Sequence, residues 1–340
     1  MIYRSKAPLR IGLAGGGTDV SPYTDMYGGA ILNATISLSA HASIELLNEP
    51  TIIAEALDRN EQEVHPWMPE LPINGKLDLL KGVYNRIYKE YNMPATGFRL
   101  STFVDAPAGS GLGTSSTLVV AILGAFVEML KLPLGDYDIA HLAYDIERND
   151  LKLAGGRQDQ YAATFGGVNF MEFYKDDKVI VNPLRIRPQY LHEMENNLLL
   201  YFTSTSRESA AIIKEQVNNV NQKNESSIEA MHQLKEQARM MKEALLKGKL
   251  HEFGEILDFG FRQKIKMAHN ISNSDIEETY MAAKTAGATG GKISGAGGGG
   301  FMIFYCPGNT NHHVKEALLK FGGEIKKYSF TKYGLTSWSI

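Results

Sequence analysis

The sequence predicts an α+β protein of two lobes, and three features of the chain point there. At 340 residues it is long for a single hydrophobic core, and chains of that size usually divide their apolar residues between two. Its first half mixes short β-like runs with glycine-rich turns and helical patterns. Its second half is built on longer amphipathic stretches, so a seam is expected near 175–195, with one lobe over 1–180 and the other over 181–340.

Taken in order, "LRIGLA" (9–14), "AILNATISL" (30–38), "ASIELL" (42–47) and "FRLSTFV" (98–104) read as strands, short and bounded by turn residues. "LDLLKGVYNRIYKEY" (77–91) puts Leu80, Val83, Ile87 and Tyr91 on one stripe, and "TLVVAILGAFVEMLKL" (117–132), apolar nearly all round, predicts a buried helix. Another amphipathic helix covers "YDIAHLAYDIERNDL" (137–151), after which "GGRQDQYAATFGGVNFMEF" (155–173) returns to a strand through glycines. In the second half "NNLLLYFT" (196–203), "GGFMIFYC" (299–306) and "EIKKYSF" (324–330) predict strands, while "ESSIEAMHQLKEQARMMKEALL" (225–246) and "NHHVKEALLKF" (311–321) predict helices. The polar "NNVNQKNESS" (218–227) is expected to be a mobile loop.

Charge and composition narrow the function. With 35 Lys and Arg against 38 Asp and Glu, the net charge is −3, so no chain-wide basic field exists to hold nucleic acid or an anionic membrane. The first residues break into glycines before any apolar run of signal-peptide length, and no run approaches 18 apolar residues, so a cytoplasmic protein is expected. A lone cysteine, Cys306, excludes an intrachain disulfide and a thiolate metal cluster. The expected partner is a small molecule, and the expected state is monomer or homodimer.

Three glycine-rich loops stand out. "PAGSGLGTSST" (107–117) has three glycines, a run of hydroxyls and no charge. Glycine lets backbone N–H groups approach an oxyanion, and a helix starting near Ser115 would aim its N-terminal dipole at the same point. A tight turn with a helix cap would look the same. The loop lacks the lysine of G-x-x-x-x-G-K-[ST], so at an ATP site positive charge would have to come from Mg²⁺, Lys6, Arg10 or Lys292. "AGGGTD" (14–19) follows a strand and offers a backbone able to lie against a ligand, with a carboxylate suited to sugar hydroxyls; a hairpin is the alternative. "GAGGGG" (295–300) satisfies G-x-G-x-x-G, but a strand-like segment follows it where a dinucleotide fold needs a helix.

Two carboxylates lie between these loops. Glu147, on the 137–151 helix, could join Ser115 as a ligand of a hard cation that takes its other ligands from phosphate oxygens. Asp159, in a glycine-rich turn, could accept the proton of an attacking hydroxyl.

In order and separation, "APLRIGLAGGGTD", "PAGSGLGTSST" and "KISGAGGGGF" are similar to the three motifs of the GHMP kinase superfamily, which includes galactokinase and mevalonate kinase. "GGRQDQ" resembles the segment that carries its catalytic aspartate. The resemblance spans nearly the whole chain. It implies a ribosomal-protein-S5-domain-2-like N-terminal lobe, a ferredoxin-like C-terminal lobe, and transfer of phosphate from ATP with Mg²⁺. It further implies that Gly109, Ser110, Gly111, Leu112, Gly113, Thr114 and Ser115 hold ATP, that Ser115 and Glu147 hold Mg²⁺, and that Asp159 and Arg10 are catalytic. Gly16, Gly17, Thr18, Asp19, Gly156, Arg157, Gly295, Ala296 and Gly297 would then meet the substrate. Arg10 stands where mevalonate kinase has a lysine and galactokinase an arginine, and "AGGGTD" replaces the G-E-H of several members, which tells against galactose.

Within the superfamily, "RSKAPLRIGLAGGGTD", "GKLDLLKGVYNRI" and "GGRQDQYAATFGGVNFMEFY" resemble the bacterial D-glycero-D-manno-heptose 7-phosphate kinases. That implies phosphorylation of an anomeric (C1) hydroxyl to a 1,7-bisphosphate, on the route to GDP-heptose for surface polysaccharide. Lys6, Arg157 and Arg207 are the candidates for the distal phosphate. The rival expectations are a kinase of fucose, a hexosamine or a uronic acid, and a sugar sensor on the same fold.

Overall fold

The computed structural model describes residues 1–91, 93–204 and 209–340. The first strands are β1 (Ile2–Ala14), β2 (Gly29–Leu47), β3 (Thr51–Ala56), β4 (Glu61–Pro66), β5 (Gly97–Val104), β6 (Val168–Phe173) and β7 (Val179–Pro183). Later come β8 (Leu198–Phe202), β9 (Gly290–Ile293), β10 (Phe301–Tyr305), β11 (Glu324–Lys326) and β12 (Thr336–Ser339). The helices of the first half are α1 (Tyr23–Tyr27), α2 (Asp78–Tyr91), α3 (Thr114–Leu130), α4 (Asp136–Asp145) and α5 (Gln158–Phe165), with a π-turn over Ile146–Asp150 continuing α4. Those of the second half are α6 (Pro188–Asn197), α7 (Ser209–Asn221), α8 (Glu225–Lys247), α9 (Phe253–Lys264), α10 (Ser274–Thr285) and α11 (Asn311–Leu319).

The large sheet runs β12-β1-β2-β5-β3-β4, antiparallel except for β3 against β5. The two runs expected at 30–38 and 42–47 are one strand. β2 is long enough to pair with β6 through Gly29–Ala34 and with β5 through Ala40–Leu47. A register shift falls between Pro8 and Arg10 of β1, where proline cannot donate to the ladder. The shift changes which face the side chains take. Ala7 packs with α2 and α3, whereas Leu9, Ile11 and Leu13, of the same parity, pack with α8 and α9. Arg10 is thereby turned toward the α3 and α5 layer.

The small sheet runs β11-β8-β10-β9, all antiparallel. Numbered within the lobe this is 4-1-3-2, with helices after its first and third strands, the ferredoxin-like arrangement. Both of its faces are buried: Leu199, Tyr201, Met302 and Phe304 against α9–α11, and Leu198, Leu200, Phe301 and Ile303 in the core shared with the large sheet. That explains why these strands read as continuous apolar runs.

The chain divides less simply than a seam near 180. β7 still belongs to the large sheet, and β12 returns to pair with β1. The strand expected over 324–330 ends at Lys326, with Phe330 bridging to Ile36. "NNVNQKNESS" is not a loop but the end of α7, a short turn and the start of α8, where the Asn224 side chain accepts from the Ser227 N–H at 3.1 Å as an N-cap.

Candidate active site

The three glycine-rich loops converge on one cleft of about 300 Å³. Its lining includes Arg10, Gly16, Gly17, Asp19, Gly109, Gly111, Gly113, Thr114, Ser115, Glu147, Gly156, Asp159, Gly295 and Ala296, all expected from the sequence.

One wall is the start of α3. Gly113 precedes the helix with φ 78° and no side chain caps it, so the first-turn N–H groups of a 17-residue helix open to the cleft with the positive end of the dipole. The loop before α3 is clamped by the third glycine loop. A Cβ on Gly111 would stand 2.3 Å from the Ser294 carbonyl oxygen, and one on Gly295 2.7 Å from Gly111 Cα. Gly111 has φ 84° and Gly295 φ 79°, so both space and backbone require glycine. Ser110 and Leu112 face inward: Leu112 packs in the core, and the Ser110 carbonyl accepts from the Phe301 N–H at 2.8 Å.

Arg10 and Asp159 form the centre. The Arg10 guanidinium places Nε and Nη2 each 2.7 Å from Asp159 Oδ1 and donates through Nη1 to the Gly111 carbonyl at 2.5 Å. Gln158 Nε2 adds a bond to the same Oδ1 at 3.0 Å. Asp159 Oδ2 faces Gly113, 3.2 Å from where a Cβ there would sit. Burial raises the Asp159 pKa, but the adjacent Arg10 guanidinium overrides it and holds the carboxyl below its ordinary value. Asp159 is therefore a carboxylate throughout the neutral range, a quarter exposed toward the cleft.

Asp19 does two things. Its Oδ2 accepts from the N–H groups of Arg157 and Gln158, both at 2.9 Å, and so caps the start of α5, the helix that carries Asp159. The same side chain lines the cleft.

Glu147 sits in the π-turn, 2% exposed. It accepts from Gln160 Nε2 at 2.5 Å, and Gln160 also donates to Ser116 Oγ at 3.1 Å. Burial pushes its pKa up, opposed by Arg148 and by the Ser116 and Gln160 hydrogen bonds. Ser116 is the hydroxyl nearest in this network, while Ser115 is exposed on the same turn of α3.

Three expectations fail on geometry. The Thr18 hydroxyl is shared between the Gly15 and Ala30 carbonyls and accepts from the Ala30 N–H, so it staples its loop and does not meet a sugar. The Arg157 side chain is buried away from the cleft, bonded to the Tyr174 carbonyl at 2.8 Å and paired with Asp177 at 2.7 Å and Asp25 at 3.5 Å. Gly297 packs on Ile271, 2.8 Å from where its Cβ would lie, outside the lining. Of the other distal-phosphate candidates, Lys6 is exposed on β1 opposite Thr336, and Arg207 lies outside the described residues.

Lys292, weighed in the sequence only as a source of charge, lines the cleft and is 2% exposed; Lys264, equally buried and also in the lining, went unread. Its signal was available. Phe253, Leu257, Gly260, Phe261 and Lys264 share the buried stripe of α9, and a lysine on such a stripe needs a reason. Gln158, Gln160, Arg148 and Gln216 were likewise missed.

The sequence pattern of GHMP kinase N-terminal domains matches residues 78–167, and that of GHMP kinase C-terminal domains matches residues 241–324. The chain is 46% identical over 337 residues to a D-glycero-alpha-D-manno-heptose 7-phosphate kinase of Campylobacter jejuni, covering 99% of each protein. The crystal structure of a D-glycero-D-manno-heptose 1-phosphate kinase from Bacteroides thetaiotaomicron is 46% identical, with a TM-score of 0.86 and 99% of each chain covered. The mevalonate kinase of Methanococcus jannaschii, at 20% identity, shares the fold with a TM-score of 0.75 over 97% of this chain and 98% of its own.

Proposed function

The chain belongs to the GHMP kinase family, and from that premise we propose that its cleft moves the γ-phosphoryl group of ATP onto the anomeric hydroxyl of a D-glycero-D-manno-heptose 7-phosphate. The product is the 1,7-bisphosphate, on the cytoplasmic route to a GDP-heptose for surface polysaccharide. The observation that carries the reading is the Arg10–Asp159 pair facing the uncapped start of α3, because it sets a carboxylate and a guanidinium where an incoming hydroxyl and a phosphate would meet. The relatives' names add the sugar, both naming a heptose phosphate, although they put its phosphate on different carbons.

In this reading the 109–115 backbone and the α3 N-terminus cradle the nucleotide phosphates. Asp159 orients the acceptor hydroxyl and takes its proton as the oxygen bonds to the γ-phosphorus and the bond to the ADP oxygen breaks. An anomeric hydroxyl is more acidic than an ordinary alcohol, so a carboxylate of low basicity suffices when proton transfer comes late. Arg10 balances the charge that gathers on the transferring group. Asp19 and the Gly16–Gly17 backbone face the sugar.

Mg²⁺ fits the donor set. Glu147 is a buried carboxylate in one network with the Ser116 hydroxyl, and Ser115, exposed one residue earlier on the first turn of α3, lines the same cleft. Among the described residues no three His, Cys, Asp or Glu side chains cluster, as suits an ion that takes most of its ligands from phosphate and water. When bound, it would neutralise charge on the nucleotide phosphates. Glu147→Gln is expected to raise the Mg²⁺ needed for half-maximal turnover by about 10- to 100-fold, read by titrating Mg²⁺ at fixed ATP. An unchanged requirement would remove Glu147 from this role.

The substrate is tested by incubating the enzyme and ATP with a panel of sugars and sugar 7-phosphates and following the products by ³¹P NMR. A new phosphate ester coupled to the anomeric proton, formed from the heptose 7-phosphate and not from the free sugars, is expected. Phosphorylation at another carbon, or equal turnover of fucose, would overturn the assignment.

A further inference from the structure

Lys264 and Lys292 are not used by the mechanism above. Both line the cleft and both are 2% exposed. Lys264 Nζ donates to the Gly295 carbonyl at 2.7 Å and lies 3.8 Å from where a side chain on Gly16 would begin. Lys292 Nζ donates to the Gly12 carbonyl at 2.8 Å and lies equally close to the side-chain position of Gly12. Each makes that one hydrogen bond and no ion pair among the described residues, so the Lys264 ammonium keeps two donors unspent.

A buried ammonium without a counter-charge is costly. The nearby acids are already engaged: Asp159 by Arg10, and Asp19 at the start of α5. The charged side chains lining the cleft are Arg10, Arg148, Lys264 and Lys292 with Asp19, Glu147 and Asp159, and none of these acids is in ion-pair contact with Lys264 among the described residues. The phosphates of the nucleotide have the start of α3. Lys264 belongs to the other wall, with Gly16, Gly17, Gly295 and Ala296, whose small residues leave room for a bulky anion. Gln216 joins this wall: buried, with no side-chain hydrogen bond among the described residues, its Oε1 lies 3.6 Å from where a Cβ on Gly17 would sit.

We infer that Lys264, with Gln216 beside it and Lys292 behind, seats the acceptor's own phosphate monoester and so selects a phosphorylated sugar over a free one. This deepens the kinase reading and rests on it. Burial, with the Lys264 and Arg10 charges adding to it, holds Lys292 well below its ordinary value, whereas burial lowers the Lys264 pKa only to about 8, with Asp19 opposing the shift and Arg10 adding to it. The ammonium is therefore present below about pH 8 and lost above it, and acceptor binding should weaken over that rise.

The test compares wild type with Lys264→Met and Lys264→Arg, using ATP with the heptose 7-phosphate and with the unphosphorylated heptose, and measures inorganic phosphate binding by calorimetry. For Lys264→Met the acceptor KM and the Kd for inorganic phosphate should each rise by about 10- to 100-fold, the scale of a lost charge-assisted hydrogen bond. KM for ATP should change by less than about twofold, since the nucleotide phosphates rest on the other wall. The preference for the phosphorylated sugar should collapse, the rise of acceptor KM above about pH 8 should vanish, and the arginine variant should recover part of each effect.

A selective rise in KM for ATP would move Lys264 to the nucleotide. Equal losses for both acceptors with a lowered melting temperature would make its role structural. Either result overturns the inference. A wild type with no preference for the phosphorylated sugar would instead overturn the substrate reading, and the calorimetry would still decide whether Lys264 binds phosphate.

Discussion

Asp159→Asn should lower kcat by about 10²- to 10⁴-fold while KM for ATP stays within about twofold of wild type. The amide keeps the size of the carboxylate and can still bond to the acceptor hydroxyl, but it cannot take the proton. It also leaves the Arg10 guanidinium with no counter-charge beside it. That unpaired cation would hold the nucleotide phosphates at least as well as before, which is why the loss should fall on turnover and not on ATP binding. Steady-state kinetics at saturating acceptor, with both substrates varied, separates the two. Turnover like that of wild type would remove Asp159 from the chemistry.

Arg10→Gln should cost nearly as much, about 10²- to 10³-fold in kcat, the range found when one preorganised donor to developing charge is removed. Its second signature lies in the pH profile. In the wild type Arg10 keeps Asp159 below its ordinary pKa, so the acid limb of kcat/KM lies at low pH, where the carboxylate finally takes a proton. Without the guanidinium the effect of burial loses its strongest opponent. The Asp159 pKa rises, and the acid limb moves to higher pH. Arg10→Lys restores a charge but not the three-way fork to Asp159 and Gly111, so it should recover less than the loss of charge alone would suggest. A profile whose acid limb does not move would separate Arg10 from Asp159.

How much of this was legible depends on whether the information is local. The glycines of "PAGSGLGTSST" announced a backbone that must turn where side chains cannot, and Gly113 with the start of α3 bears out the expected helix start. The α2, α3 and α8 stripes fell within a few residues of their observed ends because apolar periodicity is written in the segment itself. Lys264 was missed because its meaning arises only when α9 packs beneath Gly16 and Gly295, more than 200 residues apart in the chain for the former. Arg157 misled for the opposite reason: it sits inside a site motif, yet its side chain is drawn off by Asp25 and Asp177, which nothing in "GGRQDQ" reveals. Thr18 has the right chemistry for a sugar, but the backbone of Gly15 and Ala30 uses its hydroxyl first. The length of β2 escaped because Ser39 and His41 interrupt its apolar pattern close to where β1 shifts register.

The close approach of Gly111 and Gly295 bears on recombination between kinases of this fold. The 107–117 loop of one lobe and the 295–300 loop of the other touch through bare backbone, with Ser294 Oγ 2.8 Å from the Gly111 carbonyl and Arg10 bonded to that same carbonyl. A chimera assembled lobe by lobe would have to inherit both surfaces together, because a methyl group on either one would pry the other out of place. The C-terminal half is therefore not a module that can be exchanged alone; the smallest exchangeable unit includes the strand that bears Arg10.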